Sequence, residues 1–411
     1  MTKISTFKAL RPARDKAHLV SALPIYTYKK KVLNAILADN PYSFLHIVNP
    51  EFGPIFTVQN SPERFNLIKK TYDDFINKGT LIQENDSKIY LYRQTKQDHE
   101  YTGIIAGASI AEYLNKKIKV HEATITNREE MFTNYLNTVG YNAEPVLLTY
   151  SDKENRIDSQ FTSIMAKRPE YEFATIDELK HELWILTDQE QKSIQKSFDS
   201  LEHVYIADGH HRTASSVGLS ILRSNNNEKR FKNDEAFLAF FINESRIHIH
   251  EFNRIIRNLN GHTKEQILDL LQVNFEIKPI SEARKPSKQH ELTMFIENDW
   301  FVLCCKPKII NSQHPVKSID TQILTDYVLT PILNIEDLKN SKDIDFLSGD
   351  ISLEDFQEEI HKKDFKIGFV LYPLNIEDIK KVADNEMIMP PKSTWIEPKL
   401  RSGLTIYSLN E

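Results

Sequence analysis

Five consecutive residues, Asp208-Gly209-His210-His211-Arg212, bring together an acid, a glycine, two imidazoles and a guanidinium. The apolar run Val204-Tyr205-Ile206-Ala207 before them reads as a buried strand, and Thr213 to Asn225 after them reads as a helix. The first N–H groups of a helix have no internal acceptors, and the helix dipole adds partial positive charge there. Such an end takes anions. Arg212 has the planar fork that grips phosphate oxygens, and His210 and His211 add donors whose charge changes near neutral pH. Asp208 is the acceptor of the group, suited to capping the helix, orienting a histidine or binding a cation. The structural alternative is a helix cap beside two surface histidines. Five polar or glycine residues at one strand-to-helix turn favour chemistry over that alternative.

A second segment, Lys119-Val120-His121-Glu122-Ala123-Thr124, sets a carboxylate beside an imidazole. Glu122 has the chemistry of a general base toward a hydroxyl. Position 125 is isoleucine, so the His-Glu-x-x-His pattern of zinc proteases is absent. The plain alternative is a helix start capped by Thr124. A third segment runs from Met387 to Gly403 and is stiffened by Pro390, Pro391 and Pro398. It carries the cations Lys392, Lys399 and Arg401 and the hydroxyls Ser393 and Thr394, either as a further lobe of an anion pocket or as a solvated loop. Two features are weaker. His248-Ile249-His250 places two imidazoles on one strand face, for a metal or simply as a polar face. Arg11-Pro12 is a substrate or phosphate contact at most. No P-loop, G-x-S-x-G elbow or G-x-G-x-x-G fingerprint occurs.

The elements that must position these groups mix strand and helix without strict alternation, which predicts an α+β fold with a mixed sheet. Strands are predicted at Phe44–Val48, Lys88–Arg93, Gly103–Ala108, Val146–Tyr150, Val204–Ala207 and Phe237–Ile242. Helices are predicted at Pro62–Asn77, Ser109–Asn115, Lys192–Leu201, Lys264–Val273 and Ile376–Ala383. A hairpin is predicted near Leu292–Phe295 and Trp300–Cys305. A chain of 411 residues suggests two or three packed units. They are read here as an N-terminal α/β region at 1–95, a phosphate-binding core at 96–255 and a C-terminal α+β region at 256–411. The net charge of −6 gives no global attraction for nucleic acid or an anionic membrane. The adjacent Cys304 and Cys305 are read as small core residues rather than a disulfide. No apolar leader or membrane span is visible, so a cytoplasmic protein is expected.

The chain resembles the bacterial and archaeal family known as domain of unknown function 1015. The resemblance spans Phe7-Lys8-Ala9-Leu10-Arg11-Pro12, Pro41-Tyr42-Ser43-Phe44-Leu45-His46, Tyr92-Arg93-Gln94, the His121-Glu122 and Asp208–Arg212 segments, and Met389-Pro390-Pro391-Lys392-Ser393-Thr394. The middle third also resembles the ParB/sulfiredoxin-like superfamily, its free serine kinases in particular. That resemblance implies a nucleotide-dependent phosphotransferase acting on a small hydroxyl metabolite such as free L-serine, with ATP or ADP and Mg²⁺. It implies Glu122 as base, and Asp208 and His210 as further catalytic residues. Gly209, His211, Arg212 and Thr213 would hold nucleotide and phosphate, and Lys392, Ser393, Thr394, Lys399 and Arg401, read from their own residue types, would add a second phosphate-binding lobe. Asp208 would hold the metal and His121 would touch substrate, with Arg11 a weaker substrate contact read from the Arg11-Pro12 pair itself. A phosphoserine-type phosphatase and a non-catalytic nucleotide-sensing module are the alternatives, and a homodimer is compatible with each. Two positions depart from the family: Leu23-Pro24-Ile25-Tyr26-Thr27-Tyr28 stands where many members have Pro-Tyr-Asp, and Asn253-Arg254 where many have His-Arg.

Overall fold

The computed structural model describes residues 2–52, 57–225 and 231–411. They divide into two compact units. The first comprises Met1–Lys119, Thr124–Ile247 and Pro398–Glu411, and the second Val120–Ala123 and His248–Glu397.

The main sheet of the first unit runs, strand by strand, through Ile118–Lys119, Val204–Asp208, Val146–Tyr150, Ala236–Asn243, His99–Ser109, Tyr90–Lys96, Lys180–Ile185 and Tyr171–Ala174. Ile4–Ser5 also pairs with His99–Ser109. Two pairings are parallel, Val204–Asp208 with Ile118–Lys119 and Ala236–Asn243 with Val146–Tyr150. Its other pairings are antiparallel, so the sheet is mixed and the fold α+β, as the sequence predicts. Ala236–Asn243 is buried at every position, which explains its unbroken apolar run. Truncating Phe240 there should cost about 3–5 kcal/mol. Gly103, on the neighbouring strand, is a packing requirement. A Cβ would lie 2.3 Å from the Phe241 carbonyl and 2.8 Å from the Phe240 ring.

Helix Pro62–Asn77 follows from local rules. Pro62 occupies the first turn, the Ser61 hydroxyl accepts the Arg64 N–H at 3.3 Å, and Phe65, Ile68, Tyr72 and Phe75 recur on the buried face. Helix Asp188–Phe198 opens with a Thr187/Glu190 capping box. Phe44–Val48 departs from its predicted strand. Leu45–Val48 is a single helical turn burying Leu45 and Ile47, because so short an apolar run carries no readable period. A four-stranded sheet joins Leu81–Gln83, Ala9–Pro12, Ile406–Ser408 and Tyr141–Asn142, and so ties the C-terminal segment into this unit.

The second unit is built on an antiparallel sheet ordered Phe275–Ile280, Asp299–Cys305, Glu291–Ile296, Ile367–Val370, Phe252–Ile256, Ile344–Ser348. One face packs Ile256, Met294 and Phe369 with Ile323, Leu324 and Val328. The other packs Ile255, Phe295 and Val370 with Phe356 and Ile360 of helix Leu353–Lys362. The predicted hairpin is Glu291–Ile296 with Asp299–Cys305, closed by Glu297 and Asn298 at φ 47° and 69°, the tight turn that matches strand twist. Cys304 and Cys305 are free thiols at its end and half-buried rather than fully in the core.

The predicted boundaries at 95 and 255 are not boundaries of these units. Tyr90–Lys96 pairs along its length with His99–Ser109, which fuses the first two predicted regions, and residues 398–411 belong to the first unit. Among the described residues no helix is long and apolar enough to cross a membrane.

Candidate functional site

Strand Val204–Asp208 ends irregularly. Ile206 is opposite Leu148, yet Asp208 is opposite Leu147, so Ala207 is a bulge that re-aims the residue after it. Gly209 follows at φ +104°, a conformation that L side chains rarely adopt, and a Cβ there would meet the Arg212 guanidinium at 3.0 Å. The Gly209 carbonyl accepts the Thr213 N–H at 3.0 Å and opens the 16-residue helix His210–Asn225. The helix thus starts three residues before the predicted Thr213, and His210, His211 and Arg212 form its first turn. His210 is buried, while Asp208, His211 and Arg212 are half-buried.

Arg212 is the hub. Its Nη1 lies 2.7 Å from Glu144 Oε1 and donates to the Pro145 carbonyl, and its Nη2 lies 3.3 Å from Asp208 Oδ2. The strand after Pro145 runs antiparallel to Val204–Asp208, which brings its start beside the turn. Lys399 Nζ reaches the same Asp208 oxygen at 3.6 Å. Two acids and two cations therefore form one partly exposed cluster within the first unit. Crowding by protein pushes the Glu144 carboxyl up, and Asp208 adds to that, while Arg212 and Lys399 oppose it. Glu144 carries no recognisable motif. Its only sequence signal is its place before Pro145 and a predicted strand.

Lys399 is held through its backbone. Gln94 donates to the Lys399 carbonyl at 3.2 Å and to the Tyr92 hydroxyl at 3.0 Å. That hydroxyl meets His181 Nδ1 at 2.8 Å, and His181 Nε2 meets the Thr175 hydroxyl at 3.1 Å. Further along, Ser402 pairs with Ala22, and the Gly403 N–H donates to the Ala143 carbonyl at 3.0 Å.

Three predicted ligands are engaged structurally instead. The Arg401 Nη2 donates to Asp177 and, at 3.1 Å, to Thr175, because its buried charge needs a carboxylate. Arg11 is buried with Glu84, with Glu170 at 3.0 Å and with the Tyr171 hydroxyl at 2.8 Å. The Thr213 hydroxyl is fully buried and donates back to the Gly209 carbonyl at 3.3 Å.

In the second unit His121 is buried, and its carbonyl accepts the Met389 N–H at 2.9 Å. This ties the half-buried Glu122 segment to the proline-rich loop. Thr124 caps no helix, since helix Thr126–Val139 starts after Ile125 without a side-chain cap. Ser393 is buried, donates to the Pro390 carbonyl at 2.7 Å and lies 3.1 Å from the Thr321 hydroxyl, so it shapes the loop from within. Thr394 is half-buried. Lys392 is exposed at φ 57°, with its ammonium 5.4 Å from the centre of the Phe252 ring. The His248 and His250 rings lie 4.2 Å apart, and His250 faces Glu397 at 3.4 Å. Among the described residues no group of three or more His, Cys, Asp or Glu is arranged to hold a metal.

The first unit is thus an α+β module whose strand-to-helix turn gathers Asp208, Arg212, Glu144 and Lys399. The chain belongs to the family described as protein of unknown function DUF1015, which matches residues 4–322. No curated relative matches it. Among the solved structures that resemble it are the following three. A free serine kinase in complex with AMP is 12% identical, with 74% of this chain and 91% of that chain covered and a TM-score of 0.36. A C-terminally truncated SbnI from Staphylococcus aureus is 12% identical, with 74% and 87% covered and a TM-score of 0.39. A conserved hypothetical protein from Pyrococcus furiosus is 12% identical, with 75% and 95% covered and a TM-score of 0.36.

Proposed function

We propose that the chain is a nucleotide-dependent phosphotransferase acting on a small hydroxyl metabolite, with free L-serine as the first candidate. The observation that carries the reading is the turn itself. The positive end of a 16-residue helix, Arg212 in its first turn and Lys399 from the C-terminal segment meet around Asp208. Phosphoryl transfer is mainly a matter of positioned cations and an oriented hydroxyl, and this turn supplies the cations. Arg212, Lys399, His211 and the first-turn N–H groups hold the ATP or ADP phosphates. The resemblance to free serine kinases assigns Glu122 as the acceptor of the hydroxyl proton, His210 as a further catalytic residue and His121 as a substrate contact.

Asp208 is the residue that would hold Mg²⁺. Its carboxylate already meets two cations, and a single carboxylate suits a metal that arrives on the nucleotide phosphates. When bound, that metal would neutralise phosphate charge.

The test incubates the full chain with ATP or ADP, Mg²⁺ and a panel of hydroxyl metabolites, and reads phosphorylated product by mass spectrometry. Phosphoserine formed from L-serine supports the kinase reading. Serine released from phosphoserine supports the reverse direction, a phosphatase. Nucleotide binding with neither product overturns catalysis and leaves a nucleotide-sensing module.

A further inference from the structure

Arg254 is out of place. It lies on strand Phe252–Ile256, is 1% exposed, and stands in a row of side chains that is otherwise apolar. Its cross-strand partners are Phe346 on one side and Phe369 on the other, and Ile256 is the next residue on its face. A guanidinium in such a position is ordinarily matched by a carboxylate, as Arg223 is by Asp234 at 2.6 Å in this chain. Arg254 has no carboxylate partner among the described residues. Nη1 donates to the Phe252 carbonyl and Nη2 to the Pro391 carbonyl at 3.4 Å, while the buried Nε has no acceptor. Its remaining contact is the Phe346 ring, 5.2 Å away. Burial alone depresses its pKa to about 9, with no acid nearby to oppose that.

A second unmatched group shares the surface. Ser348 is the cross-strand partner of Phe252, so its side chain is on the same sheet face as Phe252 and Arg254. Its hydroxyl is also buried without a partner. Phe252 is also the ring over which the Lys392 ammonium sits at 5.4 Å, and the Pro391 carbonyl that Arg254 touches immediately precedes Lys392. A buried fork, an unmatched hydroxyl and an exposed cation thus collect around one phenylalanine. All three donate hydrogen bonds or carry positive charge, and among the described residues no acid is paired with them. The missing partner has the chemistry of an oxyanion.

We propose that Arg254, Ser348 and Lys392 form an oxyanion-binding site of the second unit, one that takes a phosphate or carboxylate group. The proposal does not depend on the phosphotransferase reading, because it uses none of the residues around Asp208.

The experiment follows the melting temperature and calorimetric affinity of the full chain with inorganic phosphate and, in a parallel arm, with acetate and L-serine. Four proteins are compared: the parent, Arg254→Lys, Lys392→Gln and Arg212→Ala. The parent should be stabilised by at least one anion. Lysine keeps the charge of Arg254 but loses the fork, so Arg254→Lys should abolish the part of the shift that Arg212→Ala retains. Removal of one charged contact should weaken affinity by about tenfold in Lys392→Gln. Lys392 is exposed and its described contact is one ring face, so that variant tests the site even if Arg254→Lys does not fold. Because the Asp208 turn is itself proposed to take phosphate, the anion binding that persists in Arg212→Ala is the part that belongs to the Arg254 site. A response to phosphate alone identifies a phosphate site, and a response to acetate and L-serine alone identifies a carboxylate site. Absence of any anion effect on the parent overturns the proposal. So does an affinity unchanged in Lys392→Gln, or an effect lost entirely in Arg212→Ala, which would locate the anion at the Asp208 turn instead.

Discussion

The Arg212 guanidinium meets the Glu144 carboxylate at 2.7 Å and Asp208 at 3.3 Å, so its positive charge is balanced from both sides before any anion arrives. A phosphate at this turn competes with Glu144. Glu144→Gln is therefore expected to tighten ADP binding, by about fivefold, since one unit charge a few ångströms away at a partly exposed site is worth roughly 1 kcal/mol. The Glu144 carboxyl is pushed up, so it takes a proton at a higher pH than a free glutamate. Acidification through that raised pKa should strengthen binding in the parent relative to Glu144→Gln, and calorimetry across mildly acidic pH checks the difference.

Gly209→Ala tests the geometry of the turn. Alanine is strained at φ +104°, and its Cβ would press on the Arg212 guanidinium. Strain of this kind costs on the order of 1–3 kcal/mol. The variant should melt at a lower temperature and bind ADP weakly even at temperatures where it remains folded. Full ADP affinity would show that the close approach of Arg212 to the glycine has no bearing on phosphate.

His181 gives a pH signature of the network behind Lys399. Burial, reinforced by Arg401, lowers its pKa to about 3, so it is neutral when folded. The unfolded chain takes its proton near pH 6.5. The stability that His181 contributes is therefore present above about pH 6.5 and lost as pH falls toward 3, at about 1.4 kcal/mol per pH unit. Unfolding midpoints measured against pH should fall less steeply in this window for His181→Asn than for the parent.

Glu122→Gln should abolish turnover while nucleotide affinity stays nearly intact. Glutamine keeps the size of the side chain but cannot accept the hydroxyl proton. Loss of general-base catalysis typically costs about 10²–10⁴ in rate. Product formation and ADP affinity are compared at the same Mg²⁺ concentration. Turnover at the parent rate would remove Glu122 from the mechanism.

The turn was legible because strand, glycine and helix signals are local. Val204–Asp208 is an apolar run, and residue 209 is the punctuation after it. What the local pattern missed is non-local. Glu144 has no motif and gains its position only because its strand pairs antiparallel beside Asp208. Arg401 looked identical to Lys399 as a loop cation, yet Asp177 claims it through a contact that spacing cannot reveal. Arg11 followed the same course with Glu84 and Glu170. Phe44–Val48 failed for another reason, since five apolar and aromatic positions are too few to separate a strand from one helical turn.

The central claim, that the Asp208–Arg212 turn holds nucleotide phosphates, is tested most directly by titrating ADP against the parent and Arg212→Ala, with the unliganded melting temperature of each measured alongside. Arg212 and Glu144 are both partly exposed, so losing the pair should cost no more than about 1 kcal/mol of stability. Loss of a charged phosphate contact should weaken ADP by at least about tenfold. A nearly unchanged melting temperature with that loss of affinity is the expected result. A lowered melting temperature with unchanged ADP affinity would contradict the account and leave Arg212 as a structural tie between Glu144 and Asp208.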